Sequence, residues 1–252
     1  PHLEAGHVVF AGVDYARVLA AAEREADVVL WDGGNNDFPF VRPGLQIVVV
    51  DAWRPEQARG WFPGEAVLRS ADLVVVSKTD TAPPENTARA VEVARAVAPR
   101  APVLRSHSRV SLDDPARVRG RRVLVVEDGP TLTHGGMTIG AGAIAARDAG
   151  AAELVDPRPH APAALGERLA RYPALGPVLP ALGYSAADLA LLAQTIAATP
   201  ADVVVAGTPI DLAGLVPVGL PVVRARYAFS EAQPGELSAL LDAFLASTRT
   251  GT

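Results

Sequence analysis

The chain has 252 residues, a formal net charge of −5 and a hydrophobic fraction of 49%, enough for one large domain or two ordinary ones around an apolar core. The negative balance excludes a nucleic-acid binder that works by bulk charge, and the absence of cysteine excludes disulfides and thiolate metal sites. Apolar runs broken well before ~18 residues exclude a transmembrane helix, and with no visible signal peptide the expected compartment is the reducing cytoplasm.

The chain opens on Pro1 and its sole methionine is Met137, so a segment N-terminal to Pro1 is expected. Lys78 is the sole lysine. In chain order, short β-branched runs predict strands at His7–Phe10, Val28–Trp31, Ile47–Val50, Leu73–Val76, Pro102–Leu104, Val123–Val126, Glu153–Val155, Val203–Ala206 and Pro221–Arg224. Helical patterns fall between them at Tyr15–Glu25, Glu85–Val97, Gly140–Ala149, Ala163–Tyr172, Ser185–Ala198 and Glu236–Ser247. Continuous Val runs are the mark of strands buried on both faces, and their alternation with helices predicts an α/β fold with mostly parallel sheets flanked by helices. The polar stretch 111–122 suggests a boundary, dividing the chain into 1–118 and 119–252.

Ligands of open parallel sheets sit at the carboxyl ends of the strands. There the sequence places Asp32-Gly33-Gly34-Asn35, then Asp51, Ser77-Lys78-Thr79-Asp80, Glu127-Asp128-Gly129, Asp156-Pro157-Arg158 and Gly207-Thr208. The expectation is one composite crevice. The turn Ser77-Lys78-Thr79-Asp80 resembles the base-binding turn of P-loop NTPases, with the Lys78 stem along the base and Asp80 accepting from base N–H groups. It also reads as an ordinary surface turn. "VVLWDGGNN" resembles their Mg²⁺-binding strand tip. Asp32 would serve the metal, while Gly33, Gly34 and Asn35 would border the nucleotide. The phosphate-binding GxxxxGK[ST] sequence is absent from the chain.

Residues 125–151 read as a strand, a long Gly/Thr loop and a helix. Thr131, Thr133, Gly135, Gly136 and Thr138 supply hydroxyl and backbone donors for an anion, and His134 a proton or a phosphate contact. Arg158 lies in a proline-stiffened turn. Arg224 and Arg226, two apart on an extended segment, point to one face and suit bidentate anion binding.

Taken in order, "VVFAGVDY", "WDGGNNDFPF", "IVVVDAWRP", "PGEAVLRSADLVVVSKTD", "RVLVVEDGPTLTHGGMTIGAG", "GAAELVDPRPHA", "YPALGPVLPALGYS" and "VVVAGTPIDL" resemble the cyclic 2,3-diphosphoglycerate synthetase family, from about Pro1 to Tyr227. The resemblance implies a P-loop NTPase-like part lacking its phosphate loop, then a smaller C-terminal α/β domain, within a chain nearly twice as long. It implies ATP- and Mg²⁺-dependent closure of 2,3-bisphosphoglycerate into a cyclic phosphoanhydride. Asp32, His134 and Arg158 would be catalytic, Ser77, Lys78 and Asp80 would bind the nucleotide, and the 131–140 loop with Arg224 and Arg226 would bind the bisphosphate. The implied partners are this phosphorylated small molecule and the N-terminal region of the same chain. Helix-rich α/β enzymes of this size commonly form homodimers. The Ser-Lys-Thr-Asp turn by itself suits guanine. A GTPase-type metallochaperone and a non-catalytic phosphometabolite-binding module are the alternative readings.

Overall fold

The computed structural model describes residues 2, 5–34, 37–133 and 138–249. In chain order its first half holds α1 (Tyr15–Ala22), β1 (Ile47–Asp51), α2 (Gln57–Gly60), α3 (Gly64–Arg69), β2 (Leu73–Ser77), α4 (Pro84–Val97), β3 (Val103–Leu112) and β4 (Arg122–Asp128). There follow α5 (Gly129–Thr133), α6 (Ala141–Asp148), β5 (Glu153–Leu154), α7 (Ala163–Leu169) and β6 (Leu179–Ala181). The last elements are α8 (Ala186–Ala198), β7 (Val203–Gly207), α9 (Leu212–Leu215), β8 (Val222–Glu231) and α10 (Glu236–Arg249). The chain is mixed α/β, with mostly parallel strands flanked by helices, as its alternating pattern predicts. It divides into two compact units, residues 1–109 with 229–252, and residues 110–228. Among the described residues, no helix is long and apolar enough to cross a membrane.

In the first unit β1, β2 and β3 pair in parallel, with Val48 opposite Val74 and Val75 opposite Leu104. All four residues Leu73–Val76 are buried, as the apolar run requires of a strand covered on both sides. Helix α4 starts on Pro84, whose fixed φ suits a first turn. It turns Ala90, Val93, Ala94 and Val97, the i, i+3, i+4, i+7 stripe, onto Val48, Val50, Val74 and Val76. The C-terminal segment returns here: Ala232 N–H donates to the Arg105 carbonyl at 2.9 Å.

In the second unit the strand order is β8-β7-β4-β5, and β6 pairs with the carboxyl half of β4. Alternation along β4 and β7 builds two apolar layers. Leu124, Val126, Val204 and Ala206 face α7 and α8, whereas Val123, Val125, Val203 and Val205 face α6. Polar groups hold the strand entrances: Arg122 binds Asp202 at 2.8 Å and holds its carboxyl down at about 2.

Three expectations need correction. Residues 7–10 and 28–31 are irregular rather than strands, with Val8, Val28 and Leu30 exposed at 67%, 57% and 87%. An apolar run becomes a strand only where neighbours take its N–H and C=O groups, and among the described residues β1 is the edge of its ladder. Residues 129–133 of the expected Gly/Thr loop form the short helix α5. Finally, β6 was hidden by Pro180, which lacks a ladder donor and is tolerated because, among the described residues, β6 pairs with β4 alone.

Candidate functional site

In the first unit the tips of β1 and β2 are joined by side chains. The Lys78 Nζ donates to Asp51 Oδ2 at 2.8 Å, and Trp53 N–H donates to Asp51 Oδ1 at 2.9 Å. Asp51 thereby closes its own turn and anchors the lysine. Both partners are part-exposed, at 41% and 28% of side-chain area, so the pair stabilises by roughly 0–1 kcal/mol. Lys78 has φ 61°, among the described residues the one non-glycine in the left-handed region. Such a conformation costs about 1–2 kcal/mol and tends to occur at functional positions. The next residues are fixed as well. Thr79 N–H donates to the Ser106 carbonyl at 3.0 Å, and Asp80 Oδ1 accepts from Ser108 N–H at 3.1 Å. Ser77 Oγ donates to the Val50 carbonyl at 3.3 Å. Ser77, Lys78 and Asp80 thus share one rigid turn, with Asp51 as a fourth polar member.

Asp32 lies on an exposed irregular segment, not at a strand tip. Gly33 packs under the Trp31 ring so closely that a Cβ would overlap it, and Gly34 N–H donates to Asp37 Oδ2 at 3.2 Å. Asn35, His134, Gly135 and Gly136 lie outside the described residues. Among those described, no three His, Asp or Glu side chains converge as a metal cage. Mg²⁺ commonly takes one or two carboxylates, with phosphate and water completing its shell, and exposed Asp32 meets that smaller requirement.

In the second unit the tip of β4 carries the main electrostatic feature. Glu127 is 2% exposed and accepts Ala143 N–H at 2.8 Å, with Gly142 and Gly140 N–H groups also directed at it. Burial pushes its carboxyl up to about 7, against the lowering effect of those three donors. The carboxylate therefore occupies the N-terminus of α6, the place where an external anion was expected to meet backbone donors. Added Cβ atoms at Gly140 and Gly207 would overlap this carboxylate. The closest neighbour of both glycines is thus Glu127, not an external ligand.

Thr133 Oγ1 donates to the Gly129 carbonyl within α5 at 2.9 Å, Thr131 lies on the same helix, and Thr138 is exposed. Arg158 binds both Asp156 oxygens, at 2.7 to 3.0 Å, and the Leu175 carbonyl at 3.2 Å. That contact lowers the Asp156 pKa and raises that of Arg158. Arg224 and Arg226 share a face of β8; Arg224 donates to the Pro209 carbonyl at 3.3 Å, and Arg226 is exposed.

A cavity of about 310 Å³ opens beside these elements, at the carboxyl ends of β4 and β6, lined in part by Gly129, Arg168, Arg171, Tyr172, Gly183 and Tyr184. Arg168 is fixed by Asp188 Oδ1 at 2.6 Å and the Leu182 carbonyl at 2.9 Å. Side chains at Gly129 or Gly183 would overlap the Ala181 carbonyl or the Asp188 carboxylate, so both walls depend on glycine. Sequence reading missed Arg168, Arg171, Tyr172 and Tyr184. They come from a helix end and the β6 exit, and the unrecognised β6 was the signal that could have joined them.

No protein-family model matches the chain. The chain is similar to an arginine synthetase. This relative, the arginine synthetase ArcE of Thermococcus kodakarensis, is 46% identical over 242 residues, which are 96% of this chain and 54% of the relative. The chain thus spans about half the length of the curated relative it matches. The similarity overturns the expected synthesis of cyclic 2,3-diphosphoglycerate, because the relative is named for a different product. Shared motifs carry a scaffold, whereas substrate choice rests on a few side chains around a pocket.

Proposed function

We propose that this chain is part of an ATP-dependent synthetase that forms a carbon–nitrogen bond in arginine. The observation that carries this reading is the 46% identity to an arginine synthetase over nearly the whole chain. In such a ligase the γ-phosphoryl group of ATP passes to an oxygen of the acceptor. Nitrogen then attacks the activated carbon, phosphate leaves with the C–O electron pair, and ADP remains. Positioning and charge stabilisation supply most of the rate.

The turn at Ser77–Asp80 is the nucleotide side of the site. Its hydrogen bonding holds Lys78 and Asp80 in place before a ligand arrives, and Asp51 keeps the lysine aimed. Asp32 would hold Mg²⁺, which supplies neutralisation of triphosphate charge when bound.

The test uses the protein at its full natural length with ATP, Mg²⁺ and ammonium. Amino acids whose side chains end in a ureido group are supplied in turn, with amine-ended ones as controls that lack the guanidinium carbon, and ADP and arginine are both measured. Arginine appearing in step with ADP supports the reading. Absence of arginine with every precursor overturns it.

A further inference from the structure

The cavity in the second unit, an open cleft, has no role in the chemistry described above. Its volume, about 310 Å³, is at the lower end of the ~300–1,000 Å³ span of small-molecule sites, which suits an amino acid and is small for a nucleoside triphosphate. Its charge is asymmetric. Arg168 is neutralised by Asp188, whereas among the described residues no carboxylate pairs with Arg171, which is exposed where the chain leaves α7. The unmatched positive charge on the wall therefore calls for an anion of the ligand. Tyr172 and Tyr184 add aromatic surface, on which planar, delocalised groups such as guanidinium and ureido stack.

Resting on the proposed function, we infer that this cavity holds the amino-acid substrate, with Arg171 binding its α-carboxylate and the tyrosines facing its planar end. The nucleotide turn and the amino-acid cavity then belong to different parts of the sequence, residues 51–80 and 129–184.

Calorimetric binding to the full-length protein tests this, using L-arginine, its decarboxylated analogue agmatine, and inorganic phosphate. Wild type should prefer arginine over agmatine by about tenfold or more, the scale of one charge-assisted contact. Arg171→Gln should lose that preference while binding agmatine unchanged, and Arg171→Lys should restore part of it. If wild type makes arginine and Arg171→Gln still prefers arginine to agmatine, the inference falls while the proposed function stands. If phosphate binds wild type through Arg171, its binding lost in Arg171→Gln, and saturating arginine does not displace it, the cavity is a phosphate site and the inference falls. A wild-type protein that neither makes nor binds arginine overturns the proposed function, and the inference with it.

Discussion

At Glu127 two effects oppose each other. Burial disfavours the charged carboxylate, and three backbone N–H groups favour it; burial wins, leaving the pKa near 7 against an ordinary 4.5. A carboxyl whose folded pKa is raised stabilises the fold fully below its unfolded pKa. That contribution is lost as pH rises from about 4.5 through about 7. Stability of the wild-type chain should therefore fall between pH 5 and pH 8, by on the order of 3 kcal/mol at most. Glu127→Gln cannot ionise, so its denaturant midpoints should vary less across the same range. Equal pH profiles for the two proteins would contradict the assignment. Lys78 poses a second balance, between left-handed backbone strain and a partly exposed ion pair with Asp51. Lys78→Gly relieves the strain and removes the pair, so unfolding stability should stay within about 1 kcal/mol of wild type. In the full-length enzyme, ATP-dependent turnover should nevertheless fall about tenfold or more, because the positioned cation is gone. Stability measured alongside steady-state rates separates the two effects.

Among the elements, β4, β7 and α6 meet at glycine contacts. Gly142 brings α6 within 3.0 Å of the Gly207 Cα for an added Cβ, while Gly207→Ala would press on Glu127 and lie 2.9 Å from the Gly142 nitrogen. The Gly207→Ala change should cost about 1–3 kcal/mol, since backbone on both sides has little room to move. Gly166 is the contrasting case. It lies inside α7, and nothing comes within 4 Å of its added Cβ. Gly166→Ala should stabilise the protein by about 0.5–1 kcal/mol through helix propensity and a less flexible unfolded chain. Chemical denaturation of both variants checks the opposite signs, and a shared sign would refute the packing account. Elements were legible where a residue run explains itself. Leu73–Val76 and Val203–Ala206 are buried on both faces and read as strands, while α8 shows its start in Ser185, whose side chain accepts from Asp188 N–H. Val28–Trp31 carries the same apolar signal but lacks a partner strand among the described residues, and Pro180 concealed a strand that needs no full ladder.

At the scale of the whole molecule, the first unit exposes more apolar surface than a buried core requires. Ile47 and Val49, both on one face of β1, are 40% and 51% exposed, and Val8, Val9 and Leu30 are exposed as well. Exposed apolar side chains of this kind bind hydrophobic probes. The 252-residue chain should enhance the fluorescence of an anilinonaphthalene dye, and the double change Ile47→Thr with Val49→Thr should reduce it while β-branching preserves the strand. An unaltered signal would locate the dye elsewhere.

From β1 onward, the sequence by itself determined the alternation of strands and helices and the polar tips of β1, β2 and β4, because periodicity and turn chemistry act over a few neighbouring residues. It also placed Ser77, Lys78 and Asp80 on one turn. The tertiary structure alone decided that Gly140, Gly142 and Gly207 close around Glu127, that Asp51 holds Lys78, and that Arg171 and Tyr184 border one cavity. It also decided that residues 229–249 pack with the first unit. These are meetings of groups from 13 to 120 or more positions apart. They depend on strand order and close backbone approach, which no local pattern encodes.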